Sequence, residues 1–438
     1  MEKIIPNIFF AFILIAGIGY FVMNVRKLIR NIKLGKDIDR TDRKPERWKN
    51  MAKIALGQYK MVRRPVSGVL HIVVYVGFIL INIELLEIVI DGLFGTHRVF
   101  QPLIGNGLYG FLIGSFEILA LLVLVAVIIF WFRRNIERIK RFMSAEMEGW
   151  PKNDGNIILY FEIVLMTLFL VMNATDTPFQ EAGAGNVISQ FIAPWFEGVS
   201  DNALHTIEKS AWWLHIVGIL IFLNYLYYSK HLHILLAFPN TFFANLDAKG
   251  QFNNLESVTN EVKMMMDPDA DPYAMPEEGA EDEVPEKFGA SDVTDLNWVQ
   301  LMNAYTCTEC GRCTSSCPAN LTGKKLSPRK IMMDTRDRLE EVGKNIDANE
   351  GQFNPDGKQL LDDYITREEL WACTSCNACV QECPVNIDPL SIIMDMRRYL
   401  VMEESAAPQE LNMMMTNIEN NGAPWQYSQM DRLNWKDE

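Results

Sequence analysis

Cys307-Thr-Glu-Cys310-Gly-Arg-Cys313-Thr-Ser-Ser-Cys317-Pro318 decides how this sequence is read, and it returns as Cys373-Thr-Ser-Cys376-Asn-Ala-Cys379-Val-Gln-Glu-Cys383-Pro384. Both copies have the spacing C-x2-C-x2-C-x3-C-P, the run that binds a pair of [4Fe–4S] clusters. The two runs use all eight cysteines of the chain. Three close thiolates can face three irons of one cube, while the fourth, followed by proline, is carried to the other cube. The expected ligand sets are therefore crossed: Cys307, Cys310, Cys313 and Cys383 for one cluster, and Cys373, Cys376, Cys379 and Cys317 for the second. Zinc sites favour separate C-x2-4-C pairs over tight triplets. A disulfide framework belongs to short secreted chains, which this is not.

Outward from the runs, the sequence is duplicated. Tyr305-Thr-Cys-Thr-Glu-Cys is echoed by Trp371-Ala-Cys-Thr-Ser-Cys, and Ser327-Pro-Arg-Lys-Ile by Asp388-Pro-Leu-Ser-Ile. In each copy Ser or Asp before proline is a helix start. The 55 residues between Cys317 and Cys373 have a helical pattern, which predicts an α-helical two-cluster ferredoxin-like domain over 293–405. Residues 247–292, rich in Asp, Glu, Pro and Gly, read as an acidic linker. They contribute to a net charge of −14, which argues against nucleic-acid binding.

The first 246 residues are of another kind. Apolar runs near 6–25, 66–90, 110–132, 156–174 and 211–230 have the length and hydropathy of membrane helices. The fold class is thus all-α, a five-helix transmembrane bundle followed by the cluster domain. Residues 26–65 hold fourteen Lys and Arg, whereas loop 91–109 holds only Arg98 and loop 175–208 none. The positive-inside rule puts the N-terminus outside and the cysteine domain in the cytoplasm, on a multi-pass chain of the bacterial inner membrane.

Of the six histidines, His71 is expected near the inner end of the second span, His215 near the outer end of the fifth, and His231 and His233 at its inner end. Eighteen residues make about five helical turns, so His215 and His233 share a face if one helix carries both. His71 and His233 are the preferred haem b ligands, with His231 and His215 as alternatives. The bland reading is a histidine that hydrogen-bonds a neighbouring helix. His215 either pairs with a loop histidine such as His97 or meets a quinone. Glu84 and Glu117, carboxyls inside spans, either carry protons for a quinone or tie helices together.

Arg64-Pro-Val-Ser-Gly-Val-Leu-His71, Trp212-Trp-Leu-His215 and Ser229-Lys-His-Leu-His-Ile-Leu resemble the cytochrome b subunits of nitrate reductase gamma and membrane-bound heterodisulfide reductase. That pattern has two histidines on the second span; this chain keeps one, so the haem count is one or two. The cysteine half is similar to heterodisulfide reductase C and to the iron–sulfur subunits of glycerol-3-phosphate and glycolate dehydrogenases. The tail over 406–438, with Asn420-Asn-Gly-Ala-Pro-Trp425 and Arg432-Leu-Asn-Trp435, resembles the segment joining such domains to CCG domains in fused relatives. The resemblance implies a separate cytoplasmic CCG-type subunit docked on this tail. It also implies a respiratory oxidoreductase subunit that links menaquinone through haem b and two [4Fe–4S] clusters to that partner. No residue set for independent substrate chemistry is evident, so catalytic residues are none. Two alternatives stand beside this: an electron-transfer-flavoprotein:quinone type of oxidoreductase, and a redox-sensing membrane protein whose clusters are structural.

Overall fold

The computed structural model describes residues 4–267 and 287–437. Among them no strand forms; two isolated bridges, Lys36 with Asn297 and Leu361 with Ile365, are the only β-type pairings. Among the described residues five helices are long and apolar enough to cross a membrane: Ile5–Ile32, Pro65–Phe94, Phe100–Asn135, Trp150–Thr175 and Asp201–Tyr225, the last extended by a 3-10 turn to Tyr228. The first four helices overrun their apolar runs at both ends, because backbone hydrogen bonding continues into flanking residues, while the fifth starts earlier than its run and stops short of 230. Proline in the first turn starts the first, second and fourth spans, where the missing N–H has no intrahelical partner anyway. Gly95, with φ +69°, closes the second in the left-handed conformation. The third span includes part of the expected outer loop, with a break at Gly105.

The fourth span packs along the fifth and the third, the third along the second, and the first lies against the fifth and second. Tyr109, Phe116, Ala120, Phe169 and Leu170 form the buried seam of this bundle. Gly77 is where the second and third spans approach most closely, since a Cβ there would collide with Val123 Cγ2. Lipid-facing Phe12, Ile15 and Phe111 remain exposed, as expected of a surface meant for hydrocarbon.

The fifth span does not run unbroken to His233. Ser229 adopts an extended conformation, its hydroxyl accepts the N–H of His231 at 3.1 Å, and a new helix starts at His233 and ends at Phe242. The shared-face expectation for His215 and His233 fails for this reason: the chain re-registers between them.

The cysteine half is a cage of helices, Trp298–Thr306, Pro328–Ala348 and Pro389–Met402 chief among them. The duplicated starts behave as expected: Ser327 Oγ accepts from Lys330 N at 3.4 Å and Asp388 Oδ1 from Ser391 N at 3.0 Å. The core of this half also takes in Leu28 from the first span and Leu232. Asn31 Nδ2 donates to Tyr305 Oη at 2.9 Å, and Asn31 fits because residue 343 is glycine, where a Cβ would lie 2.5 Å from Asn31 Nδ2. Lys36 N–H bonds Leu296 O, and Trp298 N–H bonds Lys36 O. The two halves are thus continuous in packing. Of the 247–292 stretch, Glu256–Met266 is helical, 268–286 lies outside the described residues, and 287–292 is fastened to the cage, Lys287 Nζ to Asp295 at 2.6 Å and Asp292 to Arg338 at 2.7 Å.

Candidate functional site

Each cysteine run begins where a helix ends, Trp298–Thr306 before Cys307 and Arg367–Trp371 before Cys373. Each then makes two left-handed residues, Glu309 and Gly311 in the first, Ser375 and Asn377 in the second. That conformation is costly for Glu and Ser and cheap for Gly and Asn, and it turns successive thiols to one side. The third cysteine sits on a short helix, Arg312–Ser315 or Ala378–Glu382, and these two helices pack together. Cys317 ends the first run before Pro318, and Cys383 the second before Pro384.

The two runs lie side by side, and Cys313 is within electrostatic reach of both Cys383 and Cys379. Cys383 is within electrostatic reach of Cys310 and Cys313, while Cys317 is within reach of Cys373 and Cys379. None of the eight is in a disulfide. Burial pushes the thiol of Cys307 up to about 12 and that of Cys383 to about 11. A bare cage thus opposes thiolates, and bound iron supplies the positive charge that makes them. Among the described residues no three His, Cys, Asp or Glu side chains converge as they would on a single metal ion. A cube asks its thiolates to stand apart around a larger group, and the two C-x2-C-x2-C-x3-C-P runs supply the eight thiolates that two such cubes need. Backbone N–H groups already point at sulfur, Ile387 N at 3.2 Å from Cys383 Sγ and Ser375 N at 3.4 Å from Cys373 Sγ. Cys376 alone is exposed, so the second set has the open side.

At the end of the bundle that meets the cysteine cage, the rings of His71 and His233 have centroids 6.4 Å apart and planes tilted by 40°. Two imidazoles on opposite sides of one metal, each nitrogen about 2 Å from it, place their centroids about 6 Å apart. The pair therefore fits a haem iron. His233 Nδ1 donates to Lys230 O at 3.0 Å, which leaves Nε2 for a ligand, whereas His71 Nδ1 is buried without a partner. Burial lowers the pKa of His233 and keeps its imidazole neutral, the form that binds metal. His231 stands edge-on to His233 at 5.3 Å and against Phe222.

His215 is elsewhere. Its Nδ1 donates to Leu165 O at 3.0 Å, and it lines an intramembrane cavity with Phe78, Asn82, Glu84, Glu162 and Phe169. His97, its suggested loop partner, instead pairs with Asp176 at 3.1 Å. The structure brings Glu84 to this cavity, with Oε2 buried and unpartnered. Glu84 also borders a second, polar cleft with Glu87, Asp91, His97, Asp176 and Glu208. Glu117 does not line either cavity; its carboxylate accepts from Asn173 Nδ2 at 3.1 Å and from the N–H groups of Ile188 and Ser189 at 2.7 and 3.0 Å.

Sequence reasoning passed over Lys60, Asp154, Lys230 and Glu309. Lys60 Nζ donates to Cys383 O at 3.1 Å, and its burial lowers its pKa to about 8. Lys230 is held between Asp154 on the fourth span and Glu309 inside the first cysteine run. A charged residue so close to the apolar fifth span, and a glutamate where the twin run has serine, were the available signals.

Residues 306–387 match the 4Fe-4S dicluster domain family. Over 95% of its length the chain is 30% identical to the probable iron-sulfur-binding oxidoreductase FadF of Bacillus subtilis. Over 97% it is 26% identical to the EtfAB:quinone oxidoreductase of Syntrophomonas wolfei. It spans 59% of the length of each of these two relatives. A quarter of the chain is 33% identical to 53% of a ferredoxin/F(420)H(2)-dependent CoB-CoM heterodisulfide reductase component of Methanosarcina acetivorans. No solved structure matches. The chain is a helical membrane domain fused to a heterodisulfide reductase C-like 4Fe-4S dicluster domain.

Proposed function

We propose that this protein is a membrane-anchored electron-transfer subunit that passes electrons between a quinone pool and a cytoplasmic redox partner. The observation that carries the reading is the close pair His71 and His233, their ring centroids 6.4 Å apart at the seam where the bundle meets the cysteine cage. His71 and His233 hold one haem b; the crossed cysteine sets hold two [4Fe–4S] clusters. These groups supply one-electron chemistry, and the chain supplies their order, spacing and surroundings.

The quinone enters the cavity of His215 between lipid-facing helices, where apolar Phe78 and Phe169 suit a ring and isoprenoid stem. His215 Nε2 hydrogen-bonds a quinone oxygen there, since Nδ1 is committed to Leu165 O. Glu84, shared between this cavity and the polar cleft, exchanges the protons. The clustering of Lys and Arg in 26–65 and after the third span supports a cage on the cytoplasmic side. The exposed Cys376 face and the tail serve a CCG-type subunit or a flavoprotein. The likeness to an EtfAB:quinone oxidoreductase favours an electron-transfer flavoprotein as the source of electrons, with quinone as acceptor.

The test is dithionite-minus-oxidised spectroscopy and EPR of the purified chain, followed by addition of a quinol analogue. The expected result is a b-type spectrum, two cluster signals and cluster reduction by quinol. Absent b-type bands overturn the haem assignment, and clusters that never change redox state favour a sensor.

A further inference from the structure

Lys230 is a hub between the two cofactor sites. Its carbonyl accepts the Nδ1–H of His233 at 3.0 Å, and its N–H donates to Asp154 Oδ2 at 3.1 Å. Its Nζ donates to Pro151 O at 2.6 Å and to Glu309 Oε2. Glu309 lies between Cys307 and Cys310, and its other oxygen accepts from Arg336 at 2.8 Å. The side chains of Lys230 and Glu309 are 9% and 3% exposed. A buried ion pair adds little stability over an apolar pair, so its presence here calls for a role other than stability. The twin run gives an internal comparison: Ser375 occupies the place of Glu309 with nearly the same left-handed φ, 51° against 54°. The cysteine turn therefore does not need a glutamate. Both runs touch the membrane half, the second through Lys60 Nζ to Cys383 O, but only the first sets a carboxylate against Lys230.

We infer that Lys230 and Glu309 form a positioning clamp that registers the His233 ring against the Cys307–Cys310 turn, so that each cofactor's ligand shell responds to the other's. The inference rests on the haem and cluster assignments above. Neither residue is a ligand: Glu309 acts on His233 through Lys230, and Lys230 acts on the cysteine turn through Glu309.

The test uses the full chain, purified in detergent with its cofactors. Glu309→Ser copies the second run and keeps the left-handed turn. The variant is expected to retain both clusters yet shift the EPR signal and midpoint potential of the haem, some distance from the substitution. Lys230→Met is expected to shift the signal of the cluster held by Cys307. The double variant should perturb the haem no more than either single one, as members of one unit do. Electron equilibration between haem and clusters after a quinol-analogue pulse should slow about tenfold or more, since small misplacements carry costs of that order. An unchanged haem signal in Glu309→Ser with both clusters present overturns the clamp. Loss of the cluster from that variant also overturns it, because Glu309 would then be a requirement of the turn itself. No haem in the unsubstituted chain overturns the relay on which the clamp rests, a result distinct from either.

Discussion

Removing Cys383 should empty the cage of the other run. Cys383→Ser is expected to cost the cluster of Cys307, Cys310 and Cys313, about four of eight irons, and to leave the cluster of its own run detectable by EPR and iron analysis. His71→Ala and His233→Ala should each abolish the b-type spectrum, while His231→Ala should keep it, because His71 and His233 stand 6.4 Å apart, the spacing of two ligands of one iron, whereas His231 packs edge-on to His233 at 5.3 Å. Outside the spans, Asp176 is buried against Arg98 at 2.7 Å. Burial raises its pKa, but His97 and Arg98 outweigh that and hold it below the usual aspartate range. The stabilisation from this contact is full above about pH 3.9 and declines below it, as the unfolded aspartate takes up its proton. Asp176→Ala should destabilise the detergent-solubilised protein by about 3 kcal/mol or more, read by thermal unfolding at neutral pH, with cluster EPR unchanged. Residue identity was legible where chemistry demands a spacing, as in the cysteines. It was not legible for Glu84 against Glu117: both read as intramembrane carboxyls, and only packing shows that one is saturated with donors while the other faces two cavities.

Helices were the easiest level to read, since hydropathy at membrane length leaves few alternatives. All five spans are present, four extended beyond their apolar runs and the fifth cut short at Tyr228. The break at Ser229 was not legible. Helical periodicity carries an argument only along an unbroken helix, and nothing in Ser229-Lys230-His231 forbids one. The capping of Lys230 N–H by Asp154, a residue 76 positions earlier, helps end the span there. The docking of the first span onto Pro328–Ala348 was equally invisible, because it joins residues over three hundred positions apart, Lys27 and Arg30 to Asp347, and needs a glycine at 343 beside Asn31. Gly343→Leu should force Asn31 away from Tyr305. The expected outcome is a normal haem spectrum with faster limited proteolysis of the cage, while equal proteolysis would show that docking does not depend on this contact.

At the scale of the whole molecule, the relay predicts an orientation and a partner surface. Protease added to intact spheroplasts should spare the cysteine cage and should cut it in inside-out vesicles. The tail carries Met413, Met414, Met415, Ile418, Trp425 and Trp435 at least one-third exposed on a helix, Gln409–Asn421, and the turn that follows. Deleting 411–438 should release the cytoplasmic partner in a pull-down while leaving haem and clusters in place; unchanged co-purification would remove the tail from the interface. The seam between the halves also has a consequence in time. The first span leaves the ribosome with little of its own surface covered, and its inner end is braced by Tyr305, made 274 residues after Asn31. At about 5–20 residues per second that is a wait of roughly 15–55 s. The first of the five spans thus enters the bilayer well before the cage that braces it exists, and the seam closes only once the cysteine half has been made.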